Sequence, residues 1–111
     1  MAVYSNLTVD QGTDFTASVD VTDTDGDALN LTGFTVAGQV RRSYYSSTAT
    51  NLTCAVANAT SGVITVSLSA AQSDAMKPGR YVYDVEITNS GGVKTRVLEG
   101  QLEIMPGVTK I

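Results

Sequence analysis

Asp25-Gly26-Asp27-Ala28-Leu29-Asn30-Leu31-Thr32-Gly33-Phe34-Thr35 is the stretch whose reading decides the fold. It lies between two runs of apolar/polar alternation and carries turn chemistry. Asp25-Gly26 suits the positive φ angles of a tight turn, because glycine has no Cβ and aspartate tolerates the left-handed region. Leu29, Leu31 and Phe34 then supply apolar side chains to bury, and Gly33 permits a second turn. The stretch reads as the connection between two strands of an all-β domain.

Working outward, Phe15, Ala17, Val19 and Val21 alternate with Thr16, Ser18, Asp20 and Thr22, which gives a strand one apolar and one wet face. Phe34, Val36, Gly38 and Val40 alternate in the same way with Thr35, Ala37, Gln39 and Arg41. The period recurs in Ile64, Val66 and Leu68, and again in Tyr81, Tyr83, Val85 and Ile87. Asn89-Ser90-Gly91-Gly92 predicts a hairpin closed by a primed turn. The return strand covers about Val93 to Ile104 with Leu98, Leu102 and Ile104 inward, and Gly100 marks a bulge or a close backbone approach. A less regular strand spans Thr50 to Ala57 and a short one Leu7 to Asp10. Ser69 to Met76 is the one helical segment, with Ser69 as N-cap, Gln72 completing a capping box and Pro78-Gly79 stopping it. About seven to eight short antiparallel strands predict a β-sandwich with one short helical turn. It forms a single domain over residues 1–105, followed by a tail over 106–111.

A chain of 111 residues suits one domain, and that length buries roughly 60–70% of the unfolded surface without metal or disulfide support. Cys54 is the only cysteine, so no intramolecular disulfide forms and a reducing compartment is the simplest setting. No basic n-region followed by an apolar h-region opens the sequence, so no signal peptide is expected, and there is no apolar run of the roughly 18 residues that a membrane helix needs. The expectation is a product made inside a cell, or assembled there and released with something larger. Residues 1–40 hold Asp10, Asp14, Asp20, Asp23, Asp25 and Asp27 and no Lys or Arg, within a net charge of −4. That argues against nucleic-acid binding, which needs a basic stripe. The acidic third is either an ordinary solvated edge or one end of a polarised protomer that meets a basic end of a neighbour.

Histidine is absent, which excludes Ser-His-Asp and Cys-His catalysis and His-ligated metals. Cys54 reads as a small buried hydrophobe. Asp23-Thr24-Asp25-Gly26-Asp27 invites a calcium-loop reading, but with Gly26 at the sixth position the first and twelfth fall on Val21 and Thr32, which cannot ligate as carboxylates. Asp84 with Glu86, and Glu99 with Glu103, share outward faces, but glycoside chemistry needs two carboxylates facing a cleft, which small sandwiches rarely have. The sequons at Asn6, Asn30, Asn51 and Asn58 are explained by Asn, Ser and Thr in turns. Arg41-Arg42-Ser43-Tyr44-Tyr45 is a basic-aromatic cluster at a strand end, suited to a protein interface or to a plain strand terminus. No catalytic residue, cofactor or metal site is expected.

The chain resembles a family of small immunoglobulin-like structural proteins of tailed bacteriophages. It is similar, more distantly, to the N-terminal domain of phage baseplate upper proteins. The residues that carry the likeness are Asp25-Gly26, Leu29 to Thr35, Gln39-Val40-Arg41, Gly62 with Ile64 to Ser69, Pro78 to Asp84, and Val97 to Gly100. The resemblance implies an immunoglobulin-like sandwich and a non-enzymatic virion component, in tail, neck, baseplate or head decoration, assembled in the host cytoplasm. Its partners would be other virion proteins or further copies of itself, with neither nucleic acid nor membrane. The contact residues expected are Tyr4, Arg41, Arg42, Tyr44, Tyr45, Val108 and Ile111. The alternative is a carbohydrate- or surface-binding module that uses Tyr4, Tyr44 and Tyr45.

Overall fold

Strict alternation of β-branched and small polar residues leaves this chain little choice but extended structure. The computed structural model describes residues 3–23 and 25–108. Its elements are β1 (Val3–Tyr4), β2 (Leu7–Asp10), β3 (Phe15–Asp20), β4 (Thr35–Arg41), β5 (Ala49–Asn58), β6 (Val63–Leu68), α1 (Ala70–Ala75), β7 (Gly79–Thr88) and β8 (Lys94–Met105). They form one curled mixed sheet in the order β1-β8-β7-β4-β5-β6-β3, with β2 also on β8.

The curl is made at β5. Ala49 to Leu52 pair with β4, while Thr53 to Asn58 pair with β6. One strand therefore belongs to both halves of the roll, and the inner face stays continuous around it. Val40, Tyr83, Val85, Ile87, Leu102 and Ile104 close on Ile64, Val66 and Leu68 across the interior, and all are buried. Gly38 sits at the bend, where a Cβ would crowd Leu52 and Cys54 at 3.1 and 3.2 Å. The inward residues of β3 (Phe15, Ala17 and Val19) are only half-buried, because β3 pairs on one side, with β6.

The expectation of an antiparallel array fails at the start of the chain. β1 and β2 run parallel to β8. Alternation is blind to strand direction, and no short turn ties these strands to β8 to force a hairpin. Gly100 allows the pairing. A Cβ there would overlap the Ser5 carbonyl, which accepts the Tyr83 hydroxyl at 2.6 Å while the Ser5 N–H donates to the Glu99 carbonyl at 2.8 Å. Gly100 thus marks a close approach. The bulge lies at Val97, since Val85 pairs with Leu98 and Glu86 with Arg96.

The two loops at one end share a construction. The Asp23 carboxylate accepts the N–H groups of Asp25 and Asp27 at 2.9 and 3.1 Å, and Asn89 Oδ1 accepts those of Gly91 and Val93, both at 2.9 Å. Gly26 and Gly92 then turn the chain at φ 85. The side-chain oxygen holds the first part of each loop, so one left-handed glycine suffices. The expected positive φ at Asp25 and the primed turn at 89–92 are corrected accordingly: no non-glycine residue among those described has positive φ. Beyond the first loop, Leu29 donates to the Val21 carbonyl and Leu31 to the Ala59 carbonyl at 3.0 and 2.8 Å, which draws Leu31 into the core. Gly33 (φ 83) makes the second turn, with Phe34 N–H on the Leu31 carbonyl at 2.9 Å.

At the opposite end α1 forms as expected. Ser69 Oγ accepts the Gln72 N–H at 3.2 Å and Gln72 Oε1 accepts the Ser69 N–H at 3.0 Å. Ser73 is fully buried, donating to the Thr13 carbonyl at 2.8 Å and accepting the Gly12 N–H at 3.1 Å. Tyr81, near the start of β7, donates its hydroxyl to the Lys77 carbonyl at 2.7 Å.

Replacing Gly100 by Ala is expected to lower stability by about 1–3 kcal/mol, the usual cost of forcing extra volume into a packed site. The loss should concentrate on β1 and β2. Urea unfolding together with amide exchange over residues 3–10 checks it, and unchanged protection there would show that Ser5 does not need the glycine.

Candidate functional site

The outer face of β4, β7 and β8 carries the polar residues that alternation turns away from the core. In the cross-strand register Gln39 stands beside Asp84 and Asp84 beside Glu99. Two carboxylates side by side would repel. Arg96 relieves this, with Nε 3.2 Å from Asp84 and a guanidinium nitrogen 4.0 Å from Glu99. Arg96 reaches that face because the Val97 bulge resets the alternation of β8. Val97 and Leu98 are both buried in succession, and Arg96 falls into register with Glu86. Gln39 Nε2 donates to Asn51 Oδ1 at 2.9 Å, and Arg41 donates to Gln39 Oε1 at 3.0 Å and to the Ser46 carbonyl at 2.6 Å. Gln39, Arg41, Tyr44, Asp84, Glu86, Arg96 and Glu99 line a shallow groove of about 310 Å³. The groove can present hydrogen-bonding groups beside one aromatic ring. Of its three carboxylates, Asp84 and Glu99 are bridged by the same guanidinium and Glu86 is not.

The expected contact residues do not form one patch. Arg41 and Tyr44 share the outer groove. Arg42 stacks over the Tyr81 ring at 4.9 Å and rests where a Cβ at Gly79 would stand. Tyr44 and Tyr45 are the central residues of a turn closed by the Ser46 N–H on the Ser43 carbonyl at 3.1 Å, and they are 72% and 98% exposed. Tyr4 lies on β1, in register with Glu99 of the outer groove. Val108 is 97% exposed and follows the end of β8, on the same end of the domain as the tyrosine loop. Ile111 lies outside the described residues.

A feature that the sequence reading missed occupies the other end. Val21, Leu29, Phe34, Ile87 and Val97 line an apolar opening of about 500 Å³. Val3 and Val93, 58% and 61% exposed, stand at its rim with Asp23 and Asn89. The opening is assembled from three separated segments, so no local pattern announces it. The one signal was that Val3 and Val93 had no place on any inward face.

The remaining candidates resolve into structural roles. The Asp23 carboxylate closes its own loop. The four sequon asparagines each accept a hydrogen bond, Asn6 from the Gln101 N–H, Asn30 from Thr32, Asn51 from Gln39 and Asn58 from the Ser61 N–H. Cys54 is half-buried, its thiol 3.7 Å from the Leu52 carbonyl, and burial pushes its pKa up to about 11. The thiol therefore stays protonated and inert near neutrality.

No family model matches the chain, and no curated protein sequence does. Among solved structures, an internalin-like protein of Listeria monocytogenes is similar at 14% identity and a TM-score of 0.47, over 96% of this chain and 28% of that one. A family 123 glycoside hydrolase from Clostridium perfringens is similar at 13% identity and a TM-score of 0.44, over 97% of this chain and 24% of that one. This chain thus spans about a quarter of the length of each.

Two groups make the fold sensitive to alkali. Burial raises Cys54 from 9.0 to about 11, and burial raises Tyr83 from 10.0 to about 12 against the lowering effect of its bond to Ser5. The unfolded chain loses both protons first, so the stability they lend is whole below about pH 9 and falls as pH rises toward 11 and 12. Urea midpoints measured from pH 8 to 11.5 should decline, with a shallower decline in Tyr83→Phe. A flat profile would contradict the burial of both groups.

Proposed function

We propose that this chain is a non-enzymatic structural protein that works by protein–protein contact as a virion component of a tailed bacteriophage. The observation that carries the reading is the pairing of exposed tyrosines at one end of the roll with an apolar opening at the other. Assembly modules present surfaces of this kind, whose aromatic anchors fill apolar depressions. The phage setting is supported by the likeness of Leu29 to Thr35, Pro78 to Asp84 and Val97 to Gly100 to immunoglobulin-like phage proteins.

The finer fold assignment belongs with this proposal. We read the roll as an immunoglobulin-like sandwich whose two layers share β5. Three features support it: the parallel entry of β2 beside β8, the helical turn α1 before β7, and the Tyr81 hydroxyl on the Lys77 carbonyl. The last matches the tyrosine corner of such domains, in which a tyrosine near the start of a late strand bonds the backbone a few residues upstream. A second reading, a carbohydrate- or surface-binding module, is favoured by the outer groove, where Tyr44 stands beside Gln39, Arg41 and Asp84.

Quantitative mass spectrometry of purified particles tests the proposal. A fixed copy number per virion is expected. Absence of the chain from particles, with micromolar glycan binding by the free domain that Tyr44→Ala abolishes, would favour the second reading instead.

A further inference from the structure

The two ends of the domain differ in shape and in charge. The end that holds the apolar opening carries Asp20, Asp23, Asp25 and Asp27, with Lys94 as the basic residue among those described there. Around the loop at the other end gather Arg41, Arg42 and Lys77, with Arg42 and Lys77 lining one depression beside Tyr81. Asp10, Asp14, Asp74 and Glu103 also occupy that end. Asp14 caps α1 by accepting the Ala70 N–H at 2.7 Å, and Glu103 pairs in register with Arg80. That end is thus mixed in charge, with Arg41, Arg42, Lys77 and Arg80 against Asp10, Asp14, Asp74 and Glu103, and Arg41 and Arg42 are the charged residues that directly precede the tyrosine loop.

From this we infer that the chain associates head to tail with a second copy of itself, the Tyr44-Tyr45 turn of one entering the apolar opening of the next. The inference rests on the structural reading above and deepens it. An opening of about 500 Å³ lies within the roughly 300–1,000 Å³ of pockets that take small organic groups, a volume sufficient for a tyrosine ring. Tyr45 at 98% exposure gains the most from burial, and Val93 and Val3 at the rim lose their contact with water in the same step. The acidic rim of one copy then faces the Arg41, Arg42 and Lys77 side chains of its neighbour, which steers the encounter and sets its polarity. Because the two surfaces differ, each docking leaves a free end of each kind. Such contacts build rings when the rotation closes and filaments when it does not.

The test uses two variants at exposed positions, Val93→Glu to block the opening and the double change Tyr44→Ala, Tyr45→Ala to remove the plug. Sedimentation velocity should show the unaltered chain growing beyond a monomer with concentration, and less so at about 1 M salt, where the Debye length shrinks to about 3 Å. Each variant alone should self-associate about tenfold more weakly or not at all. Their equimolar mixture should recover a one-to-one dimer, since one still has the plug and the other the opening. Circular dichroism and urea midpoints confirm that both variants fold. A monomeric unaltered chain at every concentration, or a mixture no larger than its components, would overturn the head-to-tail contact. Either result would leave the copy number in particles as the separate judge of the structural role.

Discussion

Everything in this structure depends on β5 serving two neighbours along its length. Its first residues complete the hydrogen bonds of β4 and its later ones those of β6. A chain of this size has few large side chains to bury, with aromatic residues at 6%. Two sheets joined only by loops would each bring one apolar face of Val, Ile and Leu to the interface. A shared strand holds those faces in one register instead, so that Leu52 from the first half and Val66 from the second lie on one inner surface. Gly38 faces this switch of partners, where a Cβ would crowd the Asp84 carbonyl, Leu52 and Cys54.

The same curl explains where the surface is open. A sheet curled at β5 leaves two ends of its interior for loops to cover. One end is sealed by α1, whose Ser73 bonds the turn between β2 and β3. The other has two short Asx-closed loops, and they stop short of covering Val3, Leu29, Phe34 and Val93. Leaving apolar surface in contact with water costs about 25 cal/mol per Å². A neighbour that covers it recovers that energy, and the structural role proposed for this chain uses what its own loops leave exposed.

Much of the fold was legible in the residues. The inward sets on β4, β6, β7 and β8 follow from period-two alternation, and the capping box of α1 from Ser69 and Gln72 at their spacing. What alternation cannot carry is direction and pairing partner, which is why β2 was expected in antiparallel order and the two-residue β1 was not expected as a strand at all. Nor could it tell a bulge from a close approach. Gly100 interrupts the pattern visibly, whereas Val97 and Leu98 are both apolar, so the real bulge leaves no gap in the apolar run. The basic-aromatic loop was visible as composition. That Arg42 would turn onto Tyr81 while Tyr45 faces solvent depends on the start of β7, some forty residues away in the chain. The apolar opening was illegible for the same reason, since it exists only once three distant segments meet.

The central claim is that the two ends of this domain recognise each other. Lys77 lies beside the tyrosine loop and Lys94 directly follows Val93 at the rim of the opening, on opposite ends of β7 and β8. Amine cross-linking of an equimolar mixture of isotope-light and isotope-heavy protein, read by mass spectrometry, reports which lysines meet between copies. The account predicts mixed-isotope links joining Lys77 of one copy to Lys94 of another. Links between copies that join only Lys94 to Lys94, or only Lys77 to Lys77, would contradict it.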